Sequence, residues 1–174
     1  LRDLEEYLHA KLQWDPDKDV DEIVQEFCGA FYGAAASEMV QVFYMMNDGT
    51  SYTMAGISPP SLAKFPGFHV ENGAILTLAG MARLDKRFEA AVKKVHDDTV
   101  RLKRVRQARL FVQYNILSSA QQDGEMFARA VRDFPVAASE VGLKSVTNRH
   151  LHGGTKQGID AFMEAMSKPG RGVD

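Results

Sequence analysis

Acidic side chains cluster between Asp15 and Glu26, where their spacing could suit a calcium ion. Counted from Asp15, side-chain oxygens fall at positions one, three, five, seven and twelve, as in the calcium-binding helix–loop–helix motif. That motif needs glycine at position six for its turn, but Val20 stands there. Asp19 and Glu22 have the spacing of a capping box, which satisfies free amides at a helix start. The sequence therefore favours helix-start acids, and calcium binding by residues 15–26 stays open.

Histidine and cysteine offer few further candidates for chemistry. His150 and His152 are two residues apart in a glycine-rich turn and could supply two metal ligands, but the sequence suggests no third ligand. Cys28 is the single cysteine, and no base stands near it in sequence, so we interpret it as a small core residue. We therefore predict no catalytic, cofactor-binding or metal-binding residue in this chain.

A basic run is the strongest charge cluster. It consists of Arg101, Lys103, Arg104, Arg106 and Arg109. The same segment carries an apolar stripe, and the whole chain has 21 basic and 23 acidic residues. A nucleic-acid-binding domain is usually basic overall, with aromatic side chains among the cations. The pattern predicts a solvated helix face, in part paired with acids on a neighbouring helix, and no nucleic-acid partner.

Length and composition indicate one soluble globular domain. The chain has 174 residues, of which 45% are hydrophobic and 25% charged. No apolar run approaches the roughly 18–20 residues that a membrane-spanning helix needs. The first residues already fit a helix and lack a leader, so we expect a single helical domain, residues 1–174, from the C-terminal part of a longer protein.

Apolar residues recur at helical spacing along most of the chain. Leu4 and Leu8 lie in a first predicted helix over 1–13, and Asp19 and Gly33 bound a second one. Further stripes predict helices near residues 39–46, 75–95 (two helices if the chain breaks near Leu84), 98–118, 127–134 and 159–166. The fold class is therefore all-α, a bundle of about six to seven helices.

Turn-forming residues interrupt this pattern. Residues 47–70 contain several glycines and prolines and are predicted to be one long irregular loop. A break is expected near Leu84 and Asp85, and Pro135 should end or kink its helix. Residues 142–154 are predicted to be irregular, and no run alternates long enough to demand a sheet.

Residues 7–36 form a distinctive pattern. It runs as an Ala-Lys-Leu helix, Trp14-x-Pro16-Asp17, Asp19-Val20-Asp21, Glu26-Phe27 and Tyr32-Gly33-x-Ala35-Ala36. The pattern resembles the C-terminal helical region of an uncharacterised bacterial family of glycoside-hydrolase-like proteins, related to α-glucuronidases and β-hexosaminidases. Residues 104–114 are similar to the long helix of that region. In that family the helices follow a (β/α)8 barrel, which is missing from this chain, and residues 135–154 match no part of it.

The resemblance implies a non-catalytic helical accessory domain of a carbohydrate-active protein. The domain would pack on an N-terminal (β/α)8 barrel of the same parent chain, which would hold the catalytic carboxylates. The parent is expected to be a glycoside hydrolase outside the cytoplasm, periplasmic or secreted, and this chain alone is expected to be inactive and without a cofactor. The barrel would bind polysaccharide. The identity of the sugar, its linkage and the formation of a homodimer stay open.

Two other interpretations compete with this one. A free-standing helical protein-interaction module would have a closed apolar core, whereas a domain built to pack on a barrel would expose an apolar patch. A metalloenzyme using His150 and His152 would hold a metal. In the accessory-domain interpretation Trp14 is a buried aromatic anchor, whose replacement by alanine would cost about 3–5 kcal/mol. Residues 47–70 would line the rim of a sugar site.

Overall fold

A computed structural model describes residues 2–56, 78–118, 124–148 and 155–167. Within these residues the chain forms seven α-helices and one short β-hairpin. The helices are α1 (Arg2–Trp14), α2 (Val20–Tyr32), α3 (Ala36–Gly56), α4 (Leu78–Lys94), α5 (Thr99–Leu117), α6 (Gly124–Glu140) and α7 (Ile159–Ser167). A 3-10 turn, Gly33–Ala35, joins α2 to α3. The predicted all-α class is confirmed.

The residues group into two compact units, Leu1–Ala108 and Arg109–Asp174. In the first unit α1 packs on α2, α2 on α3, and α3 on α4. Its buried side chains include Leu4, Leu8, Ile23, Val24, Phe27, Met39, Val42, Leu84, Phe88 and Val105. These are the periodic apolar residues of the sequence, so burial of one face of each helix explains the packing. The single domain over 1–174 stays a prediction.

Helix α2 begins and ends where its sequence predicts. Asp19 Oδ1 accepts hydrogen bonds from the backbone amides of Asp21 at 2.7 Å and Glu22 at 3.2 Å. These bonds satisfy two of the amides that a helix start leaves open. At the other end Gly33 has a φ of 55°, and its amide donates to the carbonyl of Gly29. A positive φ suits glycine, so the sharp corner into α3 depends on that residue.

The first turns of α5 close over this corner. Arg104 Nη1 donates to the carbonyl of Phe31 at 2.8 Å, and its guanidinium lies 4.1 Å from the centre of the Phe31 ring. Arg101 passes so close to Gly33 that a Cβ there would lie 2.4 Å from its Nε. Arg101 Nη1 also pairs with Asp98 at 2.6 Å. The prediction of a solvated face is wrong for Arg109, which is buried, and for Arg104, which a carbonyl and a ring hold against the protein, whereas Arg101 is partly exposed.

In the second unit α6 packs on α7, and α7 contacts both hairpin strands. Phe162 is fully buried, with its ring centroid 5.5 Å from that of Tyr114 and 5.7 Å from that of Phe134. Pro135 lies inside α6, so it does not end the helix, and the alternative of a kink at Pro135 stays a prediction. Proline costs about 3 kcal/mol in a helix interior. Burial of Phe134 and Ala138 on either side of Pro135 offsets that cost.

At three other places where the sequence predicts irregular structure, the structure has regular elements. Helix α3 continues to Gly56, so residues 47–56 are helical, and residues 57–70 lie outside the described residues. Helix α4 has no break at Leu84 and Asp85, which are both buried. Strands β1 (Ser145–Asn148) and β2 (Thr155–Gly158) pair antiparallel. The strands were not predicted because four residues are too few to show a clear alternation. Helix α3 can continue past Gly49 because one glycine within a helix costs only about 1 kcal/mol.

Replacing Gly33 with alanine should lower the free energy of unfolding by about 1–3 kcal/mol. A side chain is strained at positive φ, and its Cβ would meet Arg101. Gly29→Ala is the matched control, because the space around Gly29 is open and alanine favours the helix interior by about 0.5–1 kcal/mol. Urea unfolding measures both changes. Equal stability of Gly33→Ala and the wild type would contradict this role of the corner.

Candidate interaction surface on the first two helices

The connector between α1 and α2, residues 14–20, exposes apolar side chains at both ends. Trp14 is 92% exposed and Val20 is 43% exposed. Leu4 and Leu8 of α1 are buried, and at about 100° per residue Trp14 lies about 100° away from their common direction. The prediction that Trp14 is a buried anchor is therefore wrong. Its helical position places the indole beside the α1–α2 contact and not within it.

A hydrogen-bonded cluster lies on the same flank of α1. Tyr7, Lys11 and Trp14 are spaced at i, i+4 and i+7, which places them along one side of the helix. Glu26 Oε1 of α2 accepts from the Tyr7 hydroxyl at 2.8 Å and from Lys11 Nζ at 2.9 Å. Hydrogen bonds from Lys11 and Tyr7 lower the pKa of the Glu26 carboxyl. Such exposed pairs add little stability, so the cluster mainly sets how α1 lies on α2.

The acids with calcium-like spacing turn to separate partners. Asp19 caps α2, Asp21 accepts from the Tyr44 hydroxyl, and Glu26 bonds Lys11. Burial and the bond to Asp21 raise the pKa of Tyr44 to about 12. Among the described residues no three or more His, Cys, Asp or Glu side chains are placed to hold a metal ion. The sequence spacing does not bring these oxygens together.

Asp15 and Asp17 remain in the connector as exposed carboxylates. They stand directly beside Trp14 and Pro16. Residues 1–27 carry nine acidic and three basic side chains, although the whole chain has a net charge of only −2. The connector is therefore an exposed indole within an acidic surface.

Two other candidates from the sequence have different outcomes. Cys28 is buried in α2, and burial raises the pKa of its thiol to about 11. A thiol with a raised pKa is a poor nucleophile at neutral pH, in agreement with a core role. His150 and His152 lie outside the described residues, and so do most residues of the expected sugar-site rim.

A buried carboxylate of α3, Glu38, pairs with two half-exposed cations of α4, and sequence reasoning missed this cluster. Lys94 Nζ donates to Glu38 Oε1 at 3.1 Å and to Ser37 Oγ at 2.9 Å, and Arg87 Nη1 donates to Glu38 Oε2 at 3.2 Å. Burial raises the pKa of Glu38, but the hydrogen bonds from Lys94 and Arg87 outweigh it, so the net shift is downward. The sequence signal for this cluster was Glu38 itself, a charged residue next to Met39 of an apolar stripe.

Replacing Trp14 with alanine should change the free energy of unfolding by less than about 0.5–1 kcal/mol, because the indole is in solvent. Phe88→Ala is the matched control, since that fully buried ring should cost about 3–5 kcal/mol. Trp14 is the single tryptophan, so acrylamide quenching of its fluorescence reports its exposure directly. A loss near that of Phe88→Ala would place Trp14 in the core after all.

Replacing Glu38 with glutamine should lower the free energy of unfolding at neutral pH by about 1–3 kcal/mol. Because the folded pKa of Glu38 is lowered, the carboxylate contributes fully above its ordinary value of 4.5. That contribution is lost as the pH falls through the folded pKa. The gap between variant and wild type should therefore close in urea titrations below pH 4.5. Glu5→Gln, at an exposed carboxyl, is the control; a gap for Glu38→Gln that does not narrow as the pH falls below 4.5 would contradict the assignment.

None of the helices in the described ranges has both the length and the hydropathy to cross a membrane. A family model described as a domain of unknown function (DUF4838) matches residues 1–45. The match covers α1, α2, the Gly33 corner and the start of α3, and so includes the connector. No curated protein matches the chain. No solved structure matches it either.

Proposed function

We propose that this chain is a non-catalytic helical accessory domain of a carbohydrate-active, glycoside-hydrolase-like protein. It would pack on an N-terminal (β/α)8 barrel of the parent chain that holds the catalytic carboxylates. Polysaccharide would be bound by that barrel, outside the cytoplasm. The family match to residues 1–45 and the resemblance of residues 7–36 cover the same helices. This overlap supports placing the contact with the barrel on α1 and α2.

Trp14 is exposed where this interpretation first expected a buried anchor, and the observation that carries the proposal is this exposure, as part of an apolar surface left for a neighbour. Leaving an indole 92% exposed forgoes the roughly 1.5–3 kcal/mol gained when a large apolar side chain is buried. Tryptophan is also the residue type most enriched among those that dominate binding energy at protein interfaces. An exposed indole at a fixed helix end is expected where a domain packs on a larger neighbour.

The state of the described carboxylates supports a role without catalysis. A glycosidase needs one carboxyl with a raised pKa to donate a proton, beside a second one across the sugar bond. The pKa values of Glu26 and Glu38 are shifted in the opposite direction, because each accepts hydrogen bonds from cations. Both carboxylates serve helix-to-helix contacts, which suits a scaffold.

A free-standing helical interaction module is the competing function. It would use the same exposed Trp14, so the surface alone does not discriminate between the two. The native coding sequence discriminates between them, because the gene of a free-standing module would encode no barrel before Leu1.

The test compares the intact parent protein with this chain. We expect the native gene to encode a barrel domain upstream, and the intact protein to release sugar from aryl-glycosides that purified residues 1–174 leave unchanged. Sugar release by residues 1–174 alone would refute the non-catalytic role. A native gene that encodes no barrel would refute the accessory role and favour the interaction module.

A further inference from the structure

We infer that the connector docks into an apolar pocket bordered by lysine or arginine on the neighbouring domain. The inference rests on the proposed function and adds the chemistry of the contact. Its centre is the Trp14 indole, and its border is the pair of carboxylates on Asp15 and Asp17. The partner is therefore a protein surface that is apolar at the centre and cationic at the edge.

The charge requirement follows from desolvation. Docking of Trp14 in a partner would bring Asp15 and Asp17, which lie in the non-helical residues between α1 and α2, to the edge of the contact and take part of their water. A carboxylate that loses its water without a cation or hydrogen-bond donor costs several kcal/mol. In the described residues Asp19 and Asp21 already accept bonds from this chain, whereas Asp15 and Asp17 are exposed. Lys18 is the one cation among residues 14–20, against Asp15, Asp17 and Asp19, so the neighbour is expected to supply the remaining opposite charge.

The geometry of the connector makes the contact specific. The Asp19 cap fixes the start of α2, and burial of Leu4 and Leu8 sets the rotation of α1, with which the bonds of Glu26 to Lys11 agree. The helix ends that hold Trp14 and Val20 are thus set before any partner binds. Preorganisation of this kind reduces the entropy lost on docking.

A second copy of this chain is a poor occupant. A two-fold interface brings the same surface of each copy together. Centred on Trp14, it would place Asp15 and Asp17 of one copy against those of the other. Like charges brought together in this way oppose association. The charge pattern therefore favours a basic surface on a different domain.

Hydrogen exchange in the intact protein tests the contact. The peptide covering residues 14–20 should exchange about tenfold or more slowly in the intact protein than in residues 1–174 alone. Trp14→Ala should abolish the difference, whereas Val100→Ala, at a 60% exposed position on α5, should preserve it. Added salt should weaken the wild-type protection by screening. In Asp15→Asn/Asp17→Asn the protection should be weaker and independent of salt, and Glu5→Gln should behave like the wild type.

Four other kinds of result would overturn the inference, and each one points to a different explanation. A connector that exchanges equally fast in both proteins, or one whose protection survives both variants, refutes the docking chemistry while the accessory role stands. Protection in residues 1–174 that grows with protein concentration identifies a second copy as the occupant. Protection that appears only with soluble xylan identifies a saccharide. Absence of any upstream domain in the native protein refutes both proposals together.

Discussion

The packing of α1 on α2 is the constraint on which the candidate surface depends. Leu4 and Leu8 must be buried against α2, and this fixes the rotation of α1 about its own axis. Once that rotation is fixed, a residue at position 14 lies at the side of the contact. Tyr7 and Lys11, bonded to Glu26, hold the same rotation from the solvent side. The exposure of Trp14 is thus a consequence of the core and not of a loose helix end.

The rest of the first unit holds that pair in place. The Gly33 corner turns the chain so that α3 can pack on α2, and Arg101 and Arg104 of α5 cover the corner. The buried Glu38 then ties α3 to α4 through Lys94 and Arg87. Lys11 with Glu26, and Glu38 with Lys94 and Arg87, are charged contacts that connect helices. Asp15 and Asp17, in contrast, are exposed beside Trp14.

Much of the fold was predictable because its signals are local. The Asp19 cap, the glycine at the end of α2 and the period of Leu4 and Leu8 depend only on near neighbours in sequence. Continuation of α6 through Pro135 was not predictable, because packing of neighbouring residues outweighs the local cost. The ring contact of Arg104 with Phe31 joins residues far apart in sequence, so no spacing rule could reveal it. The position of Trp14 about 100° from Leu4 and Leu8 on α1 was available from the sequence, but the usual burial of tryptophan favoured the opposite prediction.

The proposed function and the docking inference both depend on contact between Trp14 and a neighbouring domain. A photo-crosslinking amino acid placed at position 14 of the intact protein, followed by mass spectrometry of the crosslinked peptides, tests this contact most directly. We expect crosslinks to a peptide from the region before Leu1 that contains lysine or arginine beside apolar residues. Crosslinks confined to residues 1–174 would contradict this expectation.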